Sequence, residues 1–105
     1  MKKVIFLPQS EEEMSEAAIF YDNQNRGLGR AFLGAVKKGT NDISLHPIAY
    51  PVLRNDIRRK LVGRFPYGIL YREEEKQIVV IAVMHLHRAP EYWRHRVSEP
   101  TGKWK

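Results

Sequence analysis

The side chains best able to do chemistry gather in the last third of the chain. His85, His87, Arg88, Tyr92, Trp93, Arg94 and Arg96 follow an almost wholly apolar run, Gln77 to Met84. A second cationic group, Arg58-Arg59-Lys60, precedes them, with Arg64 shortly after. Guanidinium and ammonium groups bind carboxylate or phosphate and stabilise charge developing on a phosphate. Imidazole and phenol can move protons, and an indole can stack a base. Each residue also has a plainer reading. Arg88, before Ala89-Pro90, can clamp the end of a strand. Trp93 can anchor the C-terminal segment on the sheet. Arg58, Arg59 and Lys60 can form a solvated basic strand. His85 and His87 share one strand face as a metal site would, but no third ligand accompanies them, so neither metal nor cofactor is expected. Glu11-Glu12-Glu13 reads as helix capping and not as an acid/base pair.

Composition narrows the classes. The 105 residues suit one domain with one core. The chain has no cysteine, which removes disulfides, zinc–thiolate sites and cysteine catalysis. The net charge is +6. Residues 1–52 carry six Lys/Arg and six Asp/Glu, whereas 53–105 carry twelve against six. The whole excess therefore lies in the second half and points to an anionic partner. The apolar run after Met1-Lys2-Lys3 is too short for a secretory signal or a membrane span, so a soluble, cytoplasmic protein without a membrane partner is expected.

Periodicity supplies the elements that position these groups. Lys3 to Pro8 reads as a short strand. Ser10 with Glu13 predicts a capping box opening a helix to about Asp22, along which Met14, Ala17, Ala18 and Tyr21 fall at helical spacing. A polar turn ending at Gly27 leads to a second helix, from Leu28 to about Leu45, with Gly39 as a weak point. His46 to Pro51 reads as an irregular connector, because each proline disfavours helix in the residue before it. Ile57–Leu61 is predicted as a strand. Phe65, Tyr67, Ile69 and Tyr71 share the parity of another, with both tyrosines in the core. Gln77 to Met84 reads as a strand buried on both faces. The prediction is an α+β fold of order β-α-α-β-β-β, a small and mainly antiparallel sheet packed on an N-terminal helical hairpin. Residues 1–97 form the expected single domain and 98–105 a flexible tail.

Taken in order, several segments resemble the RelE/ParE superfamily of bacterial toxins over residues 3 to about 96. They are Tyr21, Gly27-Leu28-Gly29, Phe32-Leu33, Ile43 to Pro47, Arg59, Phe65-Pro66-Tyr67 and Tyr71. Ala82-Val83-Met84-His85, Arg88, Pro90 and Trp93 complete the set. The chain looks most like the ParE side and its plasmid-stabilisation relatives. The resemblance implies the toxin of a type II toxin–antitoxin pair, neutralised by a cognate antitoxin in a hetero-oligomer. ParE-like members poison DNA gyrase; RelE-like members cleave messenger RNA on the ribosome. On the RelE reading, Arg59, Lys60, Arg88 and Tyr92 would form the metal-independent catalytic set. On either reading Arg58, Arg64, His85, His87, Trp93, Arg94 and Arg96 would meet the target or the antitoxin. Gly68 stands where the nucleases commonly carry another arginine, and that departure favours ParE. A degenerate toxin kept as an antitoxin-binding module is the third alternative.

Overall fold

The computed structural model describes residues 1–89 and 91–97. In chain order its elements are β1 (Lys3–Phe6), α1 (Pro8–Gln24), α2 (Leu28–Leu45), β2 (Val52–Arg54), β3 (Ile57–Leu61), β4 (Tyr67–Glu73) and β5 (Gln77–His85). A short 3-10 turn follows at Arg94–Val97. The five strands form one sheet ordered β1-β5-β4-β3-β2. β1 runs parallel to β5, while β2 through β5 are antiparallel neighbours. The α+β architecture is the one expected, with one more strand than the sequence suggested. The expected tail, 98–105, lies outside the described residues.

The extra strand is β2. Its three residues are all exposed, so no apolar alternation announces it. Asn55 and Asp56 turn it back into β3, and Asn55 takes the left-handed backbone (φ 53°) that asparagine tolerates better than most residues.

Helix α1 also starts differently from expectation. Pro8 occupies its first turn, where a missing N–H costs nothing, and Leu7 is the cap residue without a side-chain hydrogen bond. The capping box does not form. The Ser10 hydroxyl donates instead to the Leu7 and Val80 carbonyl oxygens, at 2.7 and 3.1 Å, which ties the helix to β5. Glu13 is thereby freed for another role.

The hairpin of α1 and α2 covers one face of the sheet. Phe32, Val36 and Ile43 pack there against Ile69, Tyr71, Ile78, Val80 and Val83. Phe65 joins them from the turn before β4. The approach of the two helices is close enough that a Cβ on Gly29 would run into the Ala18 carbonyl. Gly39 serves a similar end: a Cβ there would lie 2.8 Å from Ile69 Cδ1, so the helical cost of glycine is exchanged for contact with the sheet.

On the other face a smaller cluster of Ile57, Leu70, Ile81, Ala82, Met84 and Trp93 is sealed by the C-terminal segment. A bulge in β5 makes both clusters possible. Leu70 pairs with Ala82 and Tyr71 with Val80, leaving Ile81 as the extra residue. Ile81 and Ala82 consequently join the same face, and the alternation resumes in opposite phase.

Candidate functional site

Strand alternation decides which cations can act together. Side chains along β3 point to opposite faces in turn, so Arg58 and Lys60 face the helical side and Arg59 the other. Arg58 donates to the Tyr50 and Ile48 carbonyl oxygens at 2.7 and 3.3 Å, pinning the connector before β2. Tyr71, from the same face, donates its hydroxyl to the Pro47 oxygen at 2.5 Å. Lys60 Nζ rests 5.0 Å from the centre of the Tyr50 ring. The expected grouping of Arg59 with Lys60 is therefore not formed, because β3 pairs with β4 without a bulge and its neighbouring side chains point to opposite faces.

Arg59 contributes to a groove on the face away from the helices. The groove holds about 280 Å³ between β2, β3, the end of β5 and the C-terminal segment. Leu53, Met84, Leu86 and Trp93 supply its apolar surface; Arg54, Arg59 and Arg88 bring three guanidinium groups, and Glu91 one carboxylate. Gly68 helps to admit Arg59: a Cβ at that position would sit 2.9 Å from Arg59 Cδ and 3.5 Å from Leu86 Cδ2. The residue that breaks the nuclease pattern thus makes room for an arginine from the next strand. Neither the Arg59 nor the Arg88 guanidinium has a hydrogen-bond or ion-pair partner among the described residues. Arg88 instead lies 4.4 Å from the centre of the Tyr92 ring.

Arg96 also lies over the Tyr92 ring, 5.0 Å from its centre, in a very different environment. Arg96 makes a two-pronged ion pair with Glu13, Nη2 to Oε2 at 2.8 Å and Nη1 to Oε1 at 3.0 Å. Nη1 also donates to the Ile81 carbonyl oxygen at 3.0 Å, and Glu13 Oε1 accepts the Val83 N–H at 3.0 Å. The location explains the arrangement. β1 pairs with β5 only as far as Val80, so these two side chains bond to main-chain groups of β5 beyond the end of β1. The Arg96 side chain is 5% exposed and that of Glu13 14%. Burial alone would lower the Arg96 pKa, but hydrogen bonding and charge from Glu13, with help from Tyr92, turn the net shift upward. A hydrogen bond to Glu13, reinforced by burial, holds the Tyr92 phenol above its ordinary range despite Arg88 and Arg96.

The remaining sequence candidates are spread around this centre. Trp93 is 2% exposed and belongs to the second core cluster, so it is placed as an anchor and not as an open stacking surface. Arg94 pairs with Glu91 at 2.8 Å. Arg64 lies in the β3–β4 turn, 5.1 Å from the Phe65 ring, outside the groove. His85 stacks edge-on with Tyr67 at 5.2 Å, on the helical side. Its Nδ1 accepts the His87 backbone N–H at 3.1 Å. His85, Glu13, Glu16, Phe20, Tyr67 and Arg88 line a second hollow of about 230 Å³ beside α1. Among the described residues no group of three or more His, Asp or Glu is placed to hold a metal ion. No helix among them is long and apolar enough to cross a membrane.

Sequence reasoning missed Arg54, Leu53 and Glu91 in the groove, and Glu13 as the partner of Arg96. The Asn55-Asp56 turn was the available signal for the first two. Nothing local marks the pairing of Glu13 with a residue 83 positions away.

Comparison with known proteins shows a family through one match and the fold through another. Residues 4–90 match the family described as ParE toxin of type II toxin–antitoxin system, parDE. No curated protein matches the chain significantly. Among solved structures, the chain is similar to one titled "Chromosomal ParDE TA system from P. aeruginosa", with a TM-score of 0.60 and 13% identity. That likeness covers 81% of this chain and 96% of the other.

Proposed function

Because the chain belongs to the ParE toxin family of type II toxin–antitoxin systems, we propose that it inhibits growth by binding DNA gyrase and that its cognate antitoxin neutralises it. A cognate antitoxin is implied by the family itself. The gyrase reading is supported by one observation, the dispersal of the groups that RNA cleavage would need. Cleavage through the 2′-hydroxyl requires cations and proton-transfer groups converging on one phosphate. Lys60 faces the helical side while Arg59 lines the groove, and the Tyr92 phenol is held by Glu13 with its pKa raised. A protein that acts by binding needs complementary surface and charge, and no proton relay.

One observation favours a second reading: Arg59 and Arg88 do meet in the groove, as a phosphate clamp in a ribosome-dependent ribonuclease would. Controlled expression without antitoxin separates the two. Gyrase binding predicts arrested growth with loss of supercoiling and accumulated DNA breaks while transcripts stay intact. Cut transcripts with unbroken DNA would replace that reading with the nuclease. Undisturbed growth would leave an antitoxin-binding module. The cytoplasm is the proposed site of action, where gyrase and the antitoxin are both met.

A further inference from the structure

We infer that the groove on the uncovered sheet face is a docking site for an acidic protein segment, which lays an aliphatic side chain between carboxylates, and that Glu91 competes for its arginines. The inference holds whether gyrase or RNA is the toxin's target.

The occupant's chemistry follows from the walls. Leu53, Met84 and Leu86 offer an aliphatic bed, with Leu53 43% and Leu86 38% exposed. The three guanidinium groups around it fit carboxylates in a fork geometry that also suits phosphate. The aromatic rings decide between those two. Sequence-tolerant grip on single-stranded nucleic acid depends on open ring faces that stack bases. Here Trp93 is 2% exposed, and the Tyr92 ring already carries the Arg88 and Arg96 guanidinium groups at 4.4 and 5.0 Å from its centre. What is left open is aliphatic and cationic, which complements a protein segment carrying Leu-type and acidic residues. The positive second half of the chain would attract such a segment before contact.

Among the described residues Glu91 is the one carboxylate in the groove wall. It reaches Arg94 at 2.8 Å and Arg54 more loosely at 3.8 Å, and its side chain is 56% exposed. An incoming carboxylate would meet Arg59 and Arg88 unpaired, but would compete with Glu91 for Arg54. Glu91 thereby weakens acidic ligands and favours those with an aliphatic side chain as well.

The probe is the peptide Glu-Leu-Glu-Glu-Leu-Glu, with Gln-Leu-Gln-Gln-Leu-Gln as the neutral control and oligothymidylate as the nucleic-acid control. Binding is read from the methyl resonance of Met84. The other methionines are Met1 and Met14, and neither lines the groove. The acidic peptide should shift Met84 saturably and lose affinity as salt rises. Arg59→Ala should weaken it about tenfold, the scale of one charged hydrogen bond. Glu91→Gln should strengthen it about threefold, the scale of an exposed ion pair. The assignment is overturned if Met84 does not move up to millimolar peptide, if the neutral peptide binds equally, or if oligothymidylate saturates the site at lower concentration. Unchanged affinity in Glu91→Gln overturns the role given to that carboxylate. Heat denaturation of both variants shows whether a lost shift reflects lost folding.

Discussion

Two arginines eight positions apart on one segment, Arg88 and Arg96, lie against the same Tyr92 ring at 4.4 and 5.0 Å. Arg96 is enclosed, with a carboxylate and a strand carbonyl as fixed partners. Arg88 is exposed and lines two hollows, with no ion-pair partner among the described residues. Identical side chains therefore divide into a structural latch and a contact group, and the division follows where β1 ends. Beyond Val80 the edge of β5 has main-chain groups to satisfy, which calls Arg96 and Glu13 inward. Arg88 lies three residues beyond the last residue of β5 and meets no such demand. Positive charge in the C-terminal half is thus not one uniform docking face. Part of it holds the fold together.

The largest expected effect tests the latch. Glu13→Ala leaves a buried guanidinium without its carboxylate and removes the acceptor of the Val83 N–H. We expect a loss of about 3–5 kcal/mol in denaturant unfolding. The double variant Glu13→Leu with Arg96→Met removes both charges together and should recover much of that loss, because the desolvation cost of the pair disappears as well. If Glu13→Ala costs less than about 1 kcal/mol, the pair behaves as a surface salt bridge and the contrast with Arg88 collapses.

A smaller effect concerns protons on the helical side. Tyr71 is fully buried, and burial pushes its phenol up to about 12 although the nearby positive charge of Arg58 favours the phenolate. A folded-state value above the unfolded one means that the stabilisation is complete below pH 10 and is lost as pH climbs through 12. Two units correspond to about 2–3 kcal/mol. Unfolding free energy measured from pH 9 to 12 should fall accordingly, with a shallower slope in Tyr71→Phe. The raised values at Tyr21, Tyr67 and Tyr92 act in the same direction. An equal slope in Tyr71→Phe would assign the alkaline loss to those tyrosines.

Most of the fold was legible because its signals are local. The helical spacing of Ala17, Ala18 and Tyr21, the parity of Tyr67, Ile69 and Tyr71, and the continuous apolar β5 each reveal the element to which they belong. What escaped has identifiable causes. β2 is an exposed three-residue edge with little pattern to show. The capping box failed because Pro8 was available to start α1 earlier, and Ser10 found β5. Arg59 and Lys60 were joined as a site by proximity in sequence, although the period of a strand is what parts them. The groove was half visible: Arg59, Arg88 and Trp93 stood out by type, whereas Arg54 and Glu91 depend on a tertiary approach that no short window contains.

The smallest expected change in stability belongs to Arg88, and it is the sharpest test of the division between the two arginines. Removing its guanidinium strands no buried acceptor and breaks no ion pair among the described residues. It forfeits one cation–π contact with Tyr92, so Arg88→Ala should alter stability by about 0.5–1 kcal/mol. The same substitution takes one of three guanidinium groups from the groove and should cut affinity for the acidic peptide about fivefold or more. Growth inhibition on expression without antitoxin then places the groove relative to the toxic act. Retained toxicity with impaired peptide binding would assign the groove to a partner other than the target. Loss of both would make it part of the surface that meets the target. A large drop in stability would instead put Arg88 beside Arg96 as a structural residue, and the two halves of the segment would no longer differ.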